Sequence, residues 1–199
     1  MCGLQFTFAD ISEAHDAIGL TATSGVIITI PQRDGTRLDY ELDGKTAFGG
    51  QSLVAENQIG RLNFTMMHEA AHQLFWMLYP EEYEVQTPRC VFRMADEHTQ
   101  YPVLNWEEWQ TNVLTSYLLL PKELVYRHMA DVGLKDGVSV LNRIYARKDY
   151  ERFSEAAKRL GVSKTALTIR LSQLGLVGRN DLYDPYALVD IFPEKNEIA

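Results

Sequence analysis

The first third of the chain reads as strands and the rest as helices. Residues 25–31 (GVIITIP) form a short β-branched run, and residues 37–42 (RLDYEL) alternate apolar with polar. Residues 33–36, with Asp-Gly at their centre, separate the two runs, so together they predict a hairpin. Residues 43–45 turn again, and residues 46–52 predict an irregular edge or a third strand. From Asn63 the apolar spacing becomes three or four. Phe64, Met67, Ala71, Leu74 and Leu78 fall on one stripe of a helix that Asn63 would cap and Pro80 would end. Residues 81–103 mix prolines and charges without a period and predict a long loop. A second helix is expected from near Asn105 to just before Pro121, with Trp109, Val113, Tyr117 and Leu120 as its apolar stripe. Pro121 can sit in the first turn of a short third helix. Further helices are expected over residues 138–147, 150–160 and 164–174, with Gly161 closing one and Ser163 opening the next. Pro185 and Pro193 break up the tail.

Strands followed by helices predict an α+β fold, with a small N-terminal antiparallel sheet and a mostly helical C-terminal half. A chain of 199 residues fits one domain, or a domain with an appendage, and can bury a real core. No apolar run reaches the ~18–20 residues that span a bilayer. The first sixteen residues carry neither the basic flank nor the apolar stretch of a signal peptide. Two cysteines, Cys2 and Cys90, argue against a disulfide framework. A cytoplasmic protein is therefore expected. The net charge of −8 is uneven. Between residues 140 and 180, Arg143, Arg147, Lys148, Arg152, Lys158, Arg159, Lys164, Arg170 and Arg179 face only Asp149, Glu151 and Glu155. Such a patch reads either as a solvated helical face or as a partner surface.

The candidate chemistry lies on the first helix. His68 and His72 are four apart, so they project from one face, close enough to grip one ion. Glu69 lies roughly 100° round from His68 and can reach a water on that ion rather than share the ion itself. His-Glu-x-x-His on an amphipathic helix is the arrangement of zinc peptidases. Two imidazoles and one carboxylate leave zinc a position for water. A structural zinc site would need closure by a fourth ligand, usually cysteine, and the cysteines here are not in ligand spacing. For the third ligand, Glu108 shares a face with Asn112 beside the Trp109–Val113 stripe. Glu107 falls further round and is expected to face solvent or to favour the helix N-terminus. His98 and His128 are rival ligands.

The segments RLNFTMMHEAAHQLF and WEEWQTNVLTSYLLLPKEL resemble the ImmA/IrrE family of bacterial zinc metallo-endopeptidases. The resemblance is carried by Arg61, Phe64 and Thr65 ahead of the His-Glu-x-x-His run. It continues through Glu108, Asn112, Leu118, Leu119 and Pro121. It departs at Val113, Leu114 and Thr115, where small residues are usual, and at Leu120, where Met is usual. It covers roughly residues 25–175. It implies a zincin-like, gluzincin-type core, with Zn2+ held by His68, His72 and Glu108 and with Glu69 catalytic. Residues 153–177 are similar to the helical, helix-turn-helix-like segment that follows the peptidase core in this family. The expected division is 1–130 peptidase core, 131–178 helical region and 179–199 irregular tail.

By the resemblance, the substrate is a specific protein such as a repressor-type transcription factor, cleaved to release stress-response genes or mobile-element transfer. Candidates for stabilising the oxyanion are Tyr101, Tyr117, His98 and His128. Two rival readings differ in class. One is a non-catalytic regulator that binds a repressor, or binds DNA through Lys164, Thr165, Thr168 and Arg170. The other is a zinc hydrolase acting on a non-peptide bond.

Overall fold

The computed structural model describes residues 3–11, 17–22, 25, 27–32, 34–55, 58–82, 90–93, 106–183 and 185–186. Within them the fold is mixed α and β. Four strands form the main sheet: β1 (Gln5–Ala9), β2 (Ala17–Thr21), β5 (Thr46–Gly50) and β6 (Cys90–Arg93), in the order β1-β5-β2-β6. Strand β1 runs parallel to β5, while β5–β2 and β2–β6 are antiparallel. The sheet is therefore mixed rather than antiparallel as expected. Residues 46–50, expected as an irregular edge or a third strand, are an interior strand with Ala47, Phe48, Gly49 and Gly50 buried. Residues 90–93, inside the expected loop, are the strand β6. The rest of residues 83–105, including His98 and Tyr101, lies outside the described residues.

The expected hairpin is present as β3 (Ile27–Pro31) against β4 (Arg37–Glu41), with Ile30 opposite Leu38 and Thr29 opposite Asp39. Its turn is held by the Asp34 carboxylate, which accepts from the Thr36 amide at 2.9 Å. Asp43 does the same for the next turn, accepting from the amides of Lys45 and Thr46 at 2.8 and 2.7 Å. Asx residues make turns by this local competition for backbone donors.

Helix α1 (Ile59–Leu78) lies against β2 and β5, and α2 (Trp106–Leu119) packs on α1. Helix α1 begins four residues before the expected cap. Asn63 is inside it, and its Nδ2 donates to the Gly161 carbonyl at 2.7 Å. That bond ties α1 to the end of α4 (Arg147–Leu160). Gly161 closes α4 in the left-handed region at φ 64°, and the Ser163 hydroxyl accepts from the Ala166 amide to open α5 (Lys164–Gln173). Both caps are where the sequence put them.

Of the helix expected over residues 138–147, only Arg147 is helical, as the first residue of α4. Val138, Ser139, Val140 and Leu141 form β7, which pairs in parallel with β8 (Val177–Asn180). The alternation of β-branched and polar residues in VSVL outweighs the helical spacing assumed for this run. Helix α3 (Lys122–Asp131) contributes Val125 and Met129 to the same apolar core as Phe153, Ala156, Leu167 and Leu171. That core reaches back to Leu120, across the expected division after residue 130. Among the described residues, no helix is long and apolar enough to cross a membrane.

Candidate metal centre

The face that α1 buries shares only Ala71 with the predicted apolar stripe. Its buried residues are Thr65, His68, Glu69, Ala71, His72 and Trp76, whereas Leu78 is exposed. Helix α2 repeats the inversion. Thr111 and Thr115 are buried, and Trp109 and Tyr117 of the predicted stripe are exposed. Glu108, Thr111 and Thr115 follow the i, i+3, i+7 spacing of one helix face. A polar seam thus runs between the two helices where periodicity called for an apolar one.

His68, His72 and Glu108 meet in that seam, with one donor atom from each lying within 4.8 Å of the others. Glu108 Oε2 is 3.3 Å from His68 Nε2, Glu108 Oε1 is 3.2 Å from His72 Nε2, and the two Nε2 atoms are 3.2 Å apart. The rings are fixed from both ends of the helix: Phe64 stacks on His68 and Trp76 stacks on His72. Both histidines are buried, while the Glu108 side chain is 30% exposed and Asn112 beside it is exposed, so the cluster opens on the α2 side. This donor set can hold a metal ion. The electrostatics point the same way. Burial would push the Glu108 carboxyl up, but the ring nitrogens of His68 and His72 against it hold it well below the usual carboxylate range. Burial lowers His68, against the opposing pull of Glu108, and so favours the neutral imidazole that ligates metals. Of the rival third ligands, His128 sits on α3 beside Asp131, outside this cluster, and His98 is among the residues not described.

Glu107, expected to face solvent or to favour the helix N-terminus, stands in the first turn of α2 and turns towards α1. Its Oε1 accepts from Trp76 Nε1 at 3.3 Å and lies 3.7 Å from His72 Nδ1. The seam is wide enough to take in both glutamates at the start of α2, because residues 107 and 111 lie one turn apart on the flank of the 108–111–115 stripe. The proximity of His72 holds the Glu107 carboxyl low, against its partial burial.

Glu69 lies fully buried against β2, and among the described residues neither carboxylate oxygen has a hydrogen-bond partner. Burial pushes its carboxyl up to about 8. Only glycine fits opposite it. A Cβ at Gly19 would collide with Glu69 Oε1 and fall 2.7 Å from Thr65 Cγ2. The sequence offered no signal for Gly19, because its role depends on how closely β2 approaches α1. Nearby, Gln73 Nε2 donates to Thr21 Oγ1 at 2.6 Å and to the Ala22 carbonyl at 3.1 Å, fastening α1 to β2.

The other candidates are placed elsewhere. The Tyr117 ring lies under the Arg170 guanidinium at 4.1 Å. Arg170 and Thr168 are buried. Arg170 Nε donates to the Leu120 carbonyl at 2.9 Å, and Thr168 Oγ1 donates to the Lys164 carbonyl at 2.8 Å. Lys164 Nζ donates to the Tyr150 hydroxyl, and Thr165 shares a hydrogen bond with the Tyr183 hydroxyl. The basic run is largely paired as well: Arg147 with Glu151, Arg152 with Asp149, Arg159 with Glu155, and Arg179 with Asp181. The chain matches no family model and no curated protein.

Proposed function

We propose that this chain is a zinc-dependent endopeptidase of the ImmA/IrrE kind, with a zincin-like core and with α4 and α5 as its helix-turn-helix-like appendage. The observation that carries the reading is the convergence of His68, His72 and Glu108 in a buried seam, with Glu69, which has no hydrogen-bond partner among the described residues, on the same helix. His68, His72 and Glu108 would hold the metal, which, when bound, supplies Lewis acidity and a water acidic enough to ionise near neutral pH.

The remaining chemistry belongs to the protein. Glu69 accepts the proton of the attacking water and returns it to the leaving amine. Without a cation, burial keeps this carboxyl protonated at neutral pH; a bound cation nearby would favour the carboxylate, the form that acts as the base. Trp76 and Phe64 hold the imidazoles in place, so that little reorganisation is left for the reaction.

The substrate of this reading is a specific protein, a repressor-type transcription factor being the kind the resemblance implies. The DNA-binding regulator is the weaker reading, since two of its four contact residues, Thr168 and Arg170, are interior. Two experiments test the peptidase. Metal content of protein purified without added metal should be about one zinc per chain, and little in Glu108→Ala. Glu69→Gln should keep its zinc and lose cleavage of a repressor substrate by about 10²–10⁴-fold. Cleavage that survives the substitution rejects the mechanism.

A further inference from the structure

The two ring nitrogens of His72 meet different surroundings. Nε2 faces the cluster, 3.2 Å from His68 Nε2 and 3.2 Å from Glu108 Oε1. Nδ1 faces the flank of α2, 3.3 Å from Thr111 Oγ1 and 3.7 Å from Glu107 Oε1. A neutral imidazole has one proton to place, and the neighbours decide which nitrogen carries it.

Thr111 has a single hydroxyl proton, and it is already used. Its Oγ1 donates to the Glu107 carbonyl one turn earlier, at 2.9 Å. The oxygen therefore offers His72 Nδ1 only lone pairs. The Glu107 carboxylate likewise offers only acceptors, and Trp76 Nε1 fixes it in place by donating to the same Oε1 at 3.3 Å. Both neighbours of Nδ1 call for a donor. Thr111 is fully buried, so bulk water does not compete for the position. The Glu108 carboxylate makes the same demand on Nε2 while no cation lies between them, so it is with a cation on the Nε2 lone pair that the proton belongs on Nδ1, where Thr111 and Glu107 receive it.

We propose that Thr111, backed by Glu107, is a positioning residue that locks His72 in its Nδ1–H tautomer and keeps Nε2 free to bind metal. The inference rests on reading the cluster as a metal centre, and it adds the device that readies one ligand. Orienting partners of this kind set the affinity of metal-binding histidines.

The test compares wild type, Thr111→Val, which keeps the shape without the hydroxyl, and Thr111→Ser, which keeps the hydroxyl. The Nδ1–H of His72 and its hydrogen bond are read from ring ¹⁵N and ¹H shifts in zinc-loaded protein, and zinc affinity from competition with a chelator. The expected result is a hydrogen-bonded Nδ1–H in wild type and Thr111→Ser, and an Nδ1–H that has lost this bond in Thr111→Val. Zinc binding should be about 10–100-fold weaker in Thr111→Val alone. A wild-type Nδ1–H without a hydrogen bond in the zinc-loaded protein overturns the proposal, whether or not the valine variant folds. So does a valine variant with wild-type affinity, or a serine variant weakened as much as valine, which would make the role one of packing. A wild type that binds no zinc defeats the metal reading itself, whereas zinc bound equally well by all three proteins overturns only the role of Thr111.

Discussion

Two interiors of this molecule are built on opposite principles. Around α3, α4 and α5 the core is apolar: Val125, Met129, Leu141, Phe153, Leu167 and Leu171 are all at 0% exposure. Between α1, α2 and β2, Thr65, Glu69, His72, Thr111 and Thr115 are just as buried, and all are polar. The first interior gains free energy from burial. The second spends it, because desolvated polar groups cost stability wherever hydrogen bonds do not repay them. Stability and chemistry are thus assigned to different halves of one chain, and substitutions in the two halves should move in opposite directions.

The largest effect is expected in the apolar half. Phe153→Ala removes a fully buried ring from the middle of that core and should cost about 3–5 kcal/mol, read from denaturant unfolding. The cost should be the same at pH 5 and pH 8. A loss well under 1 kcal/mol would mean that this half contributes little to global stability.

Next comes Glu69, with the reverse sign. Burial raises its carboxyl from 4.5 to about 8, so between those values the folded chain holds a proton that the unfolded chain has released. The favourable contribution is complete below the unfolded value and is lost as pH rises through the folded one. In metal-free protein this should cost about 3 kcal/mol at pH 7 relative to pH 4. Glu69→Gln cannot ionise, so its stability relative to wild type should climb over that window and flatten above it. Parallel pH profiles for the two proteins would show that Glu69 is not desolvated as the fold implies.

These contrasts also explain what the sequence could and could not disclose. The hairpin, the Gly161 and Ser163 caps and the pairing of His68 with His72 are local. Each follows from turn chemistry or from one helical turn of spacing. The convergence with Glu108 was legible because helical geometry limits which carboxylate can share a face with Asn112. The buried faces of α1 and α2 were not legible, since periodicity assumes that apolar residues turn inward and this seam turns histidine, glutamate and threonine inward instead. The turn of Glu107 towards α1 was missed for the same reason. Strand β6 and the parallel β7–β8 pair escaped because strand pairing is non-local and short apolar runs carry no partner information. Gly19 was invisible, as a close approach between strand and helix leaves no trace in sequence.

Gly19→Ala sharpens the comparison at smaller scale. The added methyl must displace Glu69 or part β2 from α1, at about 1–3 kcal/mol. Because the ligands lie on the α2 side of the helix, zinc content should stay near wild type while cleavage falls. Loss of zinc together with stability would mean that the seam moves as one piece, and that Glu69 is not separately placed.

The smallest effect probes the boundary between the two interiors. Asn63 Nδ2 reaches from α1 to the Gly161 carbonyl, at the cap of α4. Asn63→Ala leaves that carbonyl short of one donor and should cost about 1 kcal/mol. Zinc affinity should not change, because Asn63 lies more than a turn of helix before His68 and touches none of the ligands. If the halves are independent, combining Asn63→Ala with Phe153→Ala should give nearly the sum of the separate losses, within about 0.5 kcal/mol. If zinc affinity falls with Asn63→Ala, the end of α4 helps to hold α1 at its ligand-bearing turn. The apolar half would then be a support for the metal centre as well as the main source of stability.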